Sequence, residues 1–379
     1  MSPDLCIALD LSCAAERPVT GIGYAAIYQM RALFARDDGF RFKIVATGDR
    51  QGAEVLRREL QIQRAIVLPY ARLAKYHLWT KLSWPPIEWV CGPAHIVHNL
   101  GHQTPAARRA RRLVTIHDLS VFRCPDTHTP RNVKVQTTLI RQCGREADAI
   151  VAVSQSCKDD LVDILGVAED RVRVVPNGVH IEEFDVPFDE HRLADLKSRL
   201  GIQHEYFIHL GTLEPRKNLG RLLDAYDRMR ARRGDSPQLV LVGAVGWKSH
   251  DIVRRAAELA PFVIHAGYLP RHDAVLLLRG ARACIYPSLY EGFGLPVLEA
   301  MAARTPVVTS SVSSLPEVAG DSALYVDPES IDSIADGMDR VLYDTSAAQA
   351  RAMSGRARAE SMSWDRSAAA LAKLYREVV

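Results

Sequence analysis

Apolar residues of this chain fall in short runs that are separated by longer segments with helical spacing. In the first half the runs occupy residues 5–12, 42–48, 65–69, 95–100, 112–119, 149–154 and 171–176. Nearly continuous apolar strands that alternate with helices indicate a parallel sheet covered on both faces. The pattern therefore predicts a doubly wound, Rossmann-like α/β domain over residues 1–180.

The alternation stops in the polar, turn-rich segment 177–201, which is typical of a linker that runs into a helix. It then restarts, with apolar runs at residues 206–213, 238–244, 263–269, 283–288 and 306–311. We therefore predict a second α/β domain over residues 181–363. Ligands of such sheets bind beyond the carboxyl ends of the strands, so two facing sheets would form a cleft between them.

Composition and charge narrow the class of protein. The 379 residues are 47% hydrophobic and 25% charged, which is an ordinary globular balance, and the net charge of +3 does not indicate a nucleic-acid binder. Seven dispersed cysteines without a CxxC pair favour reduced thiols. No apolar run approaches a membrane span, and the first residues lack a signal-peptide pattern. We expect a cytoplasmic protein.

The segment HLGTLEPRKN, residues 209–218, places Arg216 and Lys217 just before a predicted helix. Cations are unfavourable at the positive end of a helix dipole unless an anion binds between them. An arginine fork and a lysine point charge together suit a diphosphate. The alternative is a pair of solvated loop cations. If both side chains are exposed in the absence of ligand, replacing them should cost little stability.

A second candidate is YEGFGLPVLEAM, residues 290–301, in which two carboxylates flank a glycine turn. Gly292 and Gly294 allow a ligand to approach the backbone closely. Glu299, about one turn into the predicted helix, could accept hydrogen bonds from ribose hydroxyls, and Glu291 could accept them from a sugar. The alternative is a capped helix that carries two ordinary glutamates.

Gly21 and Gly23 follow the first predicted strand and formally resemble a dinucleotide fingerprint. Because Gly21 lies several residues beyond that strand, a glycine loop that overhangs the cleft fits better, and a plain loop is the alternative. His117 and Asp118 end a strongly apolar strand, where ligand-facing residues occur, although a lone histidine there is often structural. His98 and His102 are weaker candidates.

No His, Cys or Asp cluster has metal-ligand spacing, and the chain contains neither a DxD motif nor a phosphate-binding P-loop. We therefore expect neither a metal nor a cofactor.

Residues 70–89 mix tyrosine, tryptophan and basic side chains, and an arginine cluster follows at 108–112. Such a mixture suits an anionic membrane surface, whereas an ordinary packed helix pair is the alternative for the aromatic residues.

The combination of GTLEPRKN, YPSLYEGFGLPVLEAMAARTPVVTS and LPEVAGDSALYVDP resembles the retaining GT-B glycosyltransferases of family four, whose hallmark is a Glu-x7-Glu pattern. The resemblance is strongest over residues 200–330. The segment VTIHDLSVFRCP, residues 114–125, is similar to the bacterial mannosyltransferases that assemble O-antigen and related polysaccharides.

The resemblance implies a metal-independent, retaining transfer of a sugar from a nucleotide donor. It assigns Arg216 and Lys217 to the diphosphate, Glu299 to ribose, Glu291 with the Phe293–Gly294 backbone to the sugar, and His117 to the sugar from the other domain. The remaining donor-binding candidates are Gly21, Gly23, Gly211, Thr212, Gly292 and Leu295. Many relatives carry arginine where this chain has Thr212, and Arg216 would supply that charge.

The resemblance also implies that the last helix, residues 364–379, returns to the N-terminal domain. GDP-mannose is the favoured donor, with UDP- or dTDP-sugars as alternatives. A lipid-linked saccharide acceptor would bind residues 1–180, with peripheral membrane contact. Three other functions stay open: an NDP-sugar epimerase of the same fold, an NAD oxidoreductase that uses the Gly21 loop, and a non-catalytic nucleotide-binding subunit.

Overall fold

A computed structural model describes residues 5–15, 19–47, 50–68, 77–233 and 235–379. The chain divides into two compact units. The first comprises Met1–Phe122, Lys134–Gly178 and Trp364–Val379, and the second comprises Arg123–Val133 and Val179–Ser363. Each unit is built around its own parallel sheet, which is the α/β architecture that the alternating pattern predicts.

The sheet of the first unit contains seven strands in the order β3-β2-β1-β4-β5-β6-β7, all parallel. Their bounds are β1 Leu5–Asp10, β2 Phe40–Ala46, β3 Ile66–Val67, β4 Ile96–Asn99, β5 Arg111–Ile116, β6 Ala149–Ala152 and β7 Val172–Val174. The central strands are almost wholly buried, because helices cover both faces and leave no solvated face for polar side chains.

The sheet of the second unit contains six strands in the order β10-β9-β8-β11-β12-β13. Their bounds are β8 Tyr206–Leu210, β9 Gln238–Val242, β10 Val263–Gly267, β11 Ala283–Tyr286, β12 Val307–Ser310 and β13 Leu324–Val326. The strand order reverses between β8 and β11. Ligands of open parallel sheets bind at this kind of switch point, so the loops after β8 and β11 are the first place to look for a site.

Helices connect the strands and cover the sheets. In chain order, the α-helices of the described residues are Gly21–Phe34, Arg50–Leu60, Glu88–Cys91, Ser120–Arg123, Pro130–Glu146, Gln155–Leu165, Glu190–Leu200, Leu219–Arg232, His250–Glu258, Arg271–Gly280, Leu295–Ala302, Leu315–Ala319, Ile331–Tyr343, Thr345–Ser361 and Trp364–Val378. None of them is long and apolar enough to cross a bilayer.

The C-terminal helix Trp364–Val378 belongs to the first unit, as the family resemblance implies. It packs on the helix Gly21–Phe34, where Gln29 Nε2 donates to Ser367 Oγ at 2.9 Å. Tyr375 lies on its buried face, and its hydroxyl is 2.7 Å from His98 Nδ1. The amphipathic face of this helix is therefore buried against the first sheet and its helices.

The segment Arg123–Val133 groups with the second unit, although the sequence pattern placed it in the first domain. Trp247 stacks on His128 with ring centroids 5.6 Å apart, and its Nε1 donates to the Thr127 carbonyl at 2.8 Å. Lys248 Nζ also donates to the Asp126 carbonyl at 2.9 Å. The partners Trp247 and Lys248 lie more than a hundred residues further along the chain. The local hydrophobic pattern therefore could not predict these contacts.

Candidate active site

The loops that follow β8 and β11 meet at the switch point of the second sheet. The loop after β8 begins at Gly211, and the turn Pro215–Lys217 leads into the helix Leu219–Arg232. Asn218, at the end of that turn, donates through Nδ2 to the carbonyls of Pro287 at 3.0 Å and Pro328 at 2.6 Å. The turn that carries Arg216 and Lys217 is thereby fastened to the loop after β11.

A close backbone approach supports the start of the loop after β8. Gly211 and Gly243 both have positive φ, at 143° and 151°. A Cβ added to Gly243 would lie 1.9 Å from the Gly211 carbonyl oxygen. The loop after β8 and the loop after β9 therefore touch backbone to backbone, and the absence of a side chain at Gly243 permits this contact. Thr212, which follows Gly211, is exposed.

Replacement of Gly243 should destabilise the second unit strongly. Gly243→Ala has to displace backbone, so we expect a loss of about 3 kcal/mol or more in the free energy of unfolding. Gly220 provides the control, because it lies in the helix Leu219–Arg232 with no atom within 4 Å of an added Cβ. Gly220→Ala should raise stability by about 0.5–1 kcal/mol. Chemical denaturation measures both values, and equal stabilities of the two variants would contradict the backbone contact.

Arg216, Lys217 and the glutamates around them form a buried ionic cluster. Arg216 Nη2 lies 2.6 Å from Glu214 Oε1, and Arg216 Nη1 lies 2.9 Å from Glu291 Oε2. Lys217 Nζ lies 2.6 Å from Glu291 Oε1. The Lys217 side chain is only 10% exposed and the Glu291 side chain only 8%. The Arg216 guanidinium also donates to the Tyr290 carbonyl at 2.8 Å.

This cluster contradicts the interpretation of Arg216 and Lys217 as solvated loop cations, because glutamates of the same chain neutralise both. Glu291 contacts both cations, and its contact with a sugar hydroxyl stays a prediction. Sequence reasoning assigned the missing anion to a ligand, since Glu291 is 74 residues from Lys217 along the chain.

Burial and charge act against each other on the ionisation of the cluster. Burial alone would raise the pKa of Glu291, but the charges of Arg216 and Lys217 lower it to about 2. The pKa of Lys217 is lowered, chiefly by burial and then by the charge of Arg216, against the attraction of Glu291. The carboxylate of Glu291 is therefore ionised at neutral pH, and it holds two cations inside the protein.

Tyr286 and His209 complete the cluster, and sequence reasoning missed both. The Tyr286 hydroxyl accepts from Lys217 Nζ and lies 3.0 Å from Glu291 Oε1. Burial, and then the charge of Glu291, raise the pKa of Tyr286 well above its usual value, so it stays a phenol. His209 stacks on Tyr286 with centroids 5.2 Å apart, and its Nδ1 lies 3.0 Å from the Ile285 carbonyl. Both residues end or nearly end buried apolar strands, which is the only signal in the sequence.

The glycine turn after β11 is held by two serines, of which Ser313 accepts through Oγ from the Glu291 backbone nitrogen at 2.9 Å. Ser314 Oγ lies 2.9 Å from the Glu291 carbonyl and 2.8 Å from the Phe293 carbonyl. Gly292 and Phe293 are buried, and Gly294 has a φ of 102° at the N-cap of the helix that begins at Leu295. A Cβ on Gly294 would also approach Leu315 Cδ2 to 2.8 Å. The positive φ of Gly294 is the main reason that the turn requires glycine, because a residue with a side chain is strained in that conformation.

Glu299 lies in the helix Leu295–Ala302, one to two turns from the glycine turn, and it has a separate partner. Its Oε1 is 2.7 Å from Arg271 Nη1, and Arg271 Nε is 2.9 Å from Glu183 Oε2. All three side chains are partly exposed. Glu299 is therefore accessible to a ligand, but a hydroxyl partner would have to share it with Arg271.

Gly21 and Gly23 of the first unit lie in a helix, and the predicted glycine loop is wrong. The helix Gly21–Phe34 begins at Gly21, with Thr20 as its N-cap and Thr20 Oγ1 3.4 Å from the Gly23 backbone nitrogen. A Cβ on Gly23 would lie 2.9 Å from the Cys13 carbonyl oxygen. Gly23 therefore serves close packing. The hydroxyl of Thr20 satisfies a free N–H of the first turn, and this explains why a helix forms where the glycines suggested a loop.

His117 is partly buried beside His102. The backbone nitrogen of His117 donates to His102 Nε2 at 2.9 Å. The ring nitrogen Nε2 of His117 donates to the Leu100 carbonyl, also at 2.9 Å. Burial, together with the neighbouring His102, lowers the pKa of His117 to about 4, so the ring is neutral at pH 7. His98 is fully buried between Tyr375 and Thr115, which fits a structural role.

No group of three or more His, Cys, Asp or Glu side chains suited to a metal ion occurs among residues 5–15, 19–47, 50–68, 77–233 and 235–379. Within the second unit, the structure brings Arg216, Lys217 and Glu291 together, with Glu299 in its own ion pair. Gly21, Gly23 and His117 belong to the first unit.

Comparison with known proteins gives the family. Residues 195–360 match the model of the glycosyl transferases group 1, and residues 20–183 match that of Glycosyltransferase Family 4. The O-antigen chain mannosyltransferase B of Escherichia coli is 32% identical over 262 residues, which cover 68% of each chain. The serotype-specific mannosyltransferase WbdA of Escherichia coli is 32% identical over 202 residues, or 52% of this chain and 25% of WbdA.

Solved structures show the same fold. Anabaena Alr3699/HepE, crystallised with UDP and glucose, has a TM-score of 0.77 at 19% identity, with 98% of this chain and 100% of that chain covered. WaaG, a glycosyltransferase involved in lipopolysaccharide biosynthesis, has a TM-score of 0.72 at 16% identity, with 97% and 99% covered. The two sheets, the two matching family models and the identity to mannosyltransferase B lead to one assignment: the chain is a GT-B glycosyltransferase of family 4.

Proposed function

We propose that this enzyme transfers mannose from GDP-mannose to a lipid-linked saccharide during the synthesis of a cell-surface polysaccharide, with retention of the anomeric configuration. The similarity to the O-antigen chain mannosyltransferase B and to WbdA supports the sugar and the class of product. The observation that carries the proposal is the buried cluster of Arg216, Lys217 and Glu291 at the switch point of the second sheet.

The reaction needs positive charge at the leaving group. As the bond between the sugar and the diphosphate breaks, negative charge grows on the nucleotide, and preorganised cations lower the barrier most in a poorly hydrated site. Arg216 provides a fork and Lys217 a point charge, and both are already fixed by Glu214 and Glu291. A bound diphosphate would share these cations with the glutamates, so the site requires little rearrangement of the protein.

The other residues would bind the rest of the donor. Glu299 would accept hydrogen bonds from the ribose hydroxyls, in competition with Arg271. Glu291 and the backbone of Phe293–Gly294 would contact the sugar, and the Gly211–Thr212 turn would adjoin the phosphates. In this proposal, which follows the family mechanism, the acceptor hydroxyl attacks from the face that the nucleotide leaves, and the leaving phosphate accepts its proton. The role of His117 toward the sugar stays a prediction.

Two measurements test the proposal. A thermal-shift panel with GDP, UDP, dTDP and ADP should give its largest shift with GDP. UDP is the most informative competitor, because Alr3699/HepE was crystallised with it. Labelled GDP-mannose and a lipid-linked acceptor should then yield an α-linked product in the presence of EDTA. Isomerised sugar without acceptor would favour an epimerase, loss of transfer in EDTA would contradict metal independence, and nucleotide binding without any turnover would favour a non-catalytic subunit.

A further inference from the structure

Three large apolar side chains lie exposed on one part of the first unit. Leu82 is 66% exposed, Trp84 49% and Trp89 62%. The rings of Trp84 and Trp89 meet edge to face, with centroids 6.2 Å apart. A contacting pair of tryptophans that remains in water is unusual for a protein without a partner at that surface.

Cations lie beside these tryptophans for a structural reason. Glu88 Oε1 accepts hydrogen bonds from the backbone nitrogens of Arg108 at 2.9 Å, Arg109 at 3.0 Å and Ala110 at 3.1 Å. Because Glu88 directly precedes Trp89 in the chain, these bonds fix the arginine segment next to the aromatic one. The side chains of Arg108 and Arg109 are exposed.

Among the residues that the structure describes, the cations beside the tryptophans form no ion pair, unlike the next two arginines in the sequence. Arg111 and Arg112 lie 3.3 Å and 3.9 Å from the carboxylates of Asp148 and Glu146. In the part of the chain that the structure describes, no carboxylate forms an ion pair with Lys81, Arg108 or Arg109. The protein thus leaves positive charge available beside exposed apolar surface.

We propose that Lys81, Leu82, Trp84, Trp89, Arg108 and Arg109 form a docking surface for an anionic lipid bilayer. Tryptophan prefers the headgroup region of a membrane, where its apolar ring and its N–H are both satisfied. Unpaired arginines next to it complement the negative potential of anionic lipids. Four of these residues lie in segment 70–89 and two in the arginine cluster 108–112, the two stretches whose composition predicts contact with a membrane surface; residues 70–76 are outside the described residues. The proposal deepens the lipid-linked acceptor of the proposed function, but docking itself requires neither donor nor acceptor.

Sedimentation of the full chain with vesicles tests the surface without any transfer assay. Wild type should bind vesicles that contain phosphatidylglycerol at least about tenfold more tightly than vesicles of phosphatidylcholine alone. Arg108→Glu with Arg109→Glu should remove this preference, and Trp84→Ser with Trp89→Ser should weaken binding to both kinds of vesicle. Arg340→Glu with Lys373→Glu makes the same change of charge at exposed positions elsewhere and should bind like wild type.

Binding of wild type that is equal on both kinds of vesicle would overturn the proposal, and so would wild-type binding by the tryptophan variant. Quenching of wild-type tryptophan fluorescence by brominated anionic lipid provides a measurement that needs no variant, and its absence would also count against docking.

Transfer to an acceptor without a lipid tail should be unchanged in all variants. If that transfer is absent while vesicle binding is normal, the proposed function fails and the docking surface stands. A surface that instead captures a protein, with no affinity for vesicles, would be a protein interface.

Discussion

Lys217→Ala should lower turnover by about 10² to 10³ while weakening the binding of free nucleotide much less. A preorganised cation in a poorly hydrated site contributes roughly 2–4 kcal/mol to the stabilisation of a developing anion. Lys217 is held by Glu291 and Tyr286 before any ligand arrives, so its position costs nothing at the moment of reaction. Steady-state kinetics at saturating donor, with nucleotide affinity from thermal shift, separate the two effects.

The same substitution should also destabilise the ligand-free protein, which is the reverse of what an exposed cation implies. Removal of Lys217 leaves the buried Glu291 with Arg216 as its remaining ionic partner. We expect a loss of about 1–3 kcal/mol, below the cost of a wholly unpaired buried charge. Tyr286→Phe is the matched control, because it removes the two hydrogen bonds of the Tyr286 hydroxyl, to Lys217 and Glu291, and no charge. Its turnover should fall far less than that of Lys217→Ala.

The pH dependence of the free energy of unfolding at acid pH should also change in Lys217→Ala. The pKa of Glu291 is about 2 in the folded protein and near 4.5 when the residue is unperturbed. A lowered carboxyl pKa contributes stability that is fully present above the unperturbed value and is lost as the pH falls toward the folded value. Without Lys217 the folded pKa should rise, so this contribution to the free energy of unfolding should be smaller. Denaturation curves of both proteins between pH 3 and 7 test the direction; identical pH dependence would argue against the ion pair.

Arg216→Lys should reduce turnover by about 10² although it keeps the charge. The Arg216 guanidinium contacts Glu214, Glu291 and the Tyr290 carbonyl at 2.6, 2.9 and 2.8 Å. One ammonium cannot reproduce that fork or present two parallel donors to a phosphate. The variant should therefore lose donor-dependent rate and part of the nucleotide-induced thermal shift.

Arg221 provides a matched control for that exchange. It lies in the helix Leu219–Arg232 and contacts Asn218 Oδ1 at 3.0 Å, outside the ionic cluster. Arg221→Lys should change turnover by less than about threefold, since one ordinary hydrogen bond contributes about 1 kcal/mol or less. If Arg216→Lys and Lys217→Ala both transferred sugar at near wild-type rates, the diphosphate would have to bind elsewhere, and the proposed site would be wrong.

The periodicity of the sequence determined the two sheets, whereas the family resemblance implied the position of the last helix. Strands of a covered parallel sheet must be apolar throughout, so runs such as residues 206–213 and 283–288 identify β8 and β11 without knowledge of their neighbours. The amphipathic segment from Trp364 likewise predicts a helix with one buried face, but not the unit on which that face packs. The Glu-x7-Glu pattern and the PRKN turn identified the candidate site, because they combine glycines, carboxylates and cations that a helix start does not otherwise require.

Only the tertiary structure decided which charges meet. Sheet order brings the loop after β8 against the loop after β11, and this sets Glu291 between Arg216 and Lys217, Asn218 against Pro287, and His209 against Tyr286. The two residues of each pair are far apart in the sequence, so the spacing of residues within one segment could not predict these contacts. The same holds for Gly243, whose need for glycine comes from the carbonyl of Gly211 on a neighbouring strand end. Hydrophobic periodicity is a property of one segment, whereas charge compensation and backbone contact depend on which segments the fold places side by side.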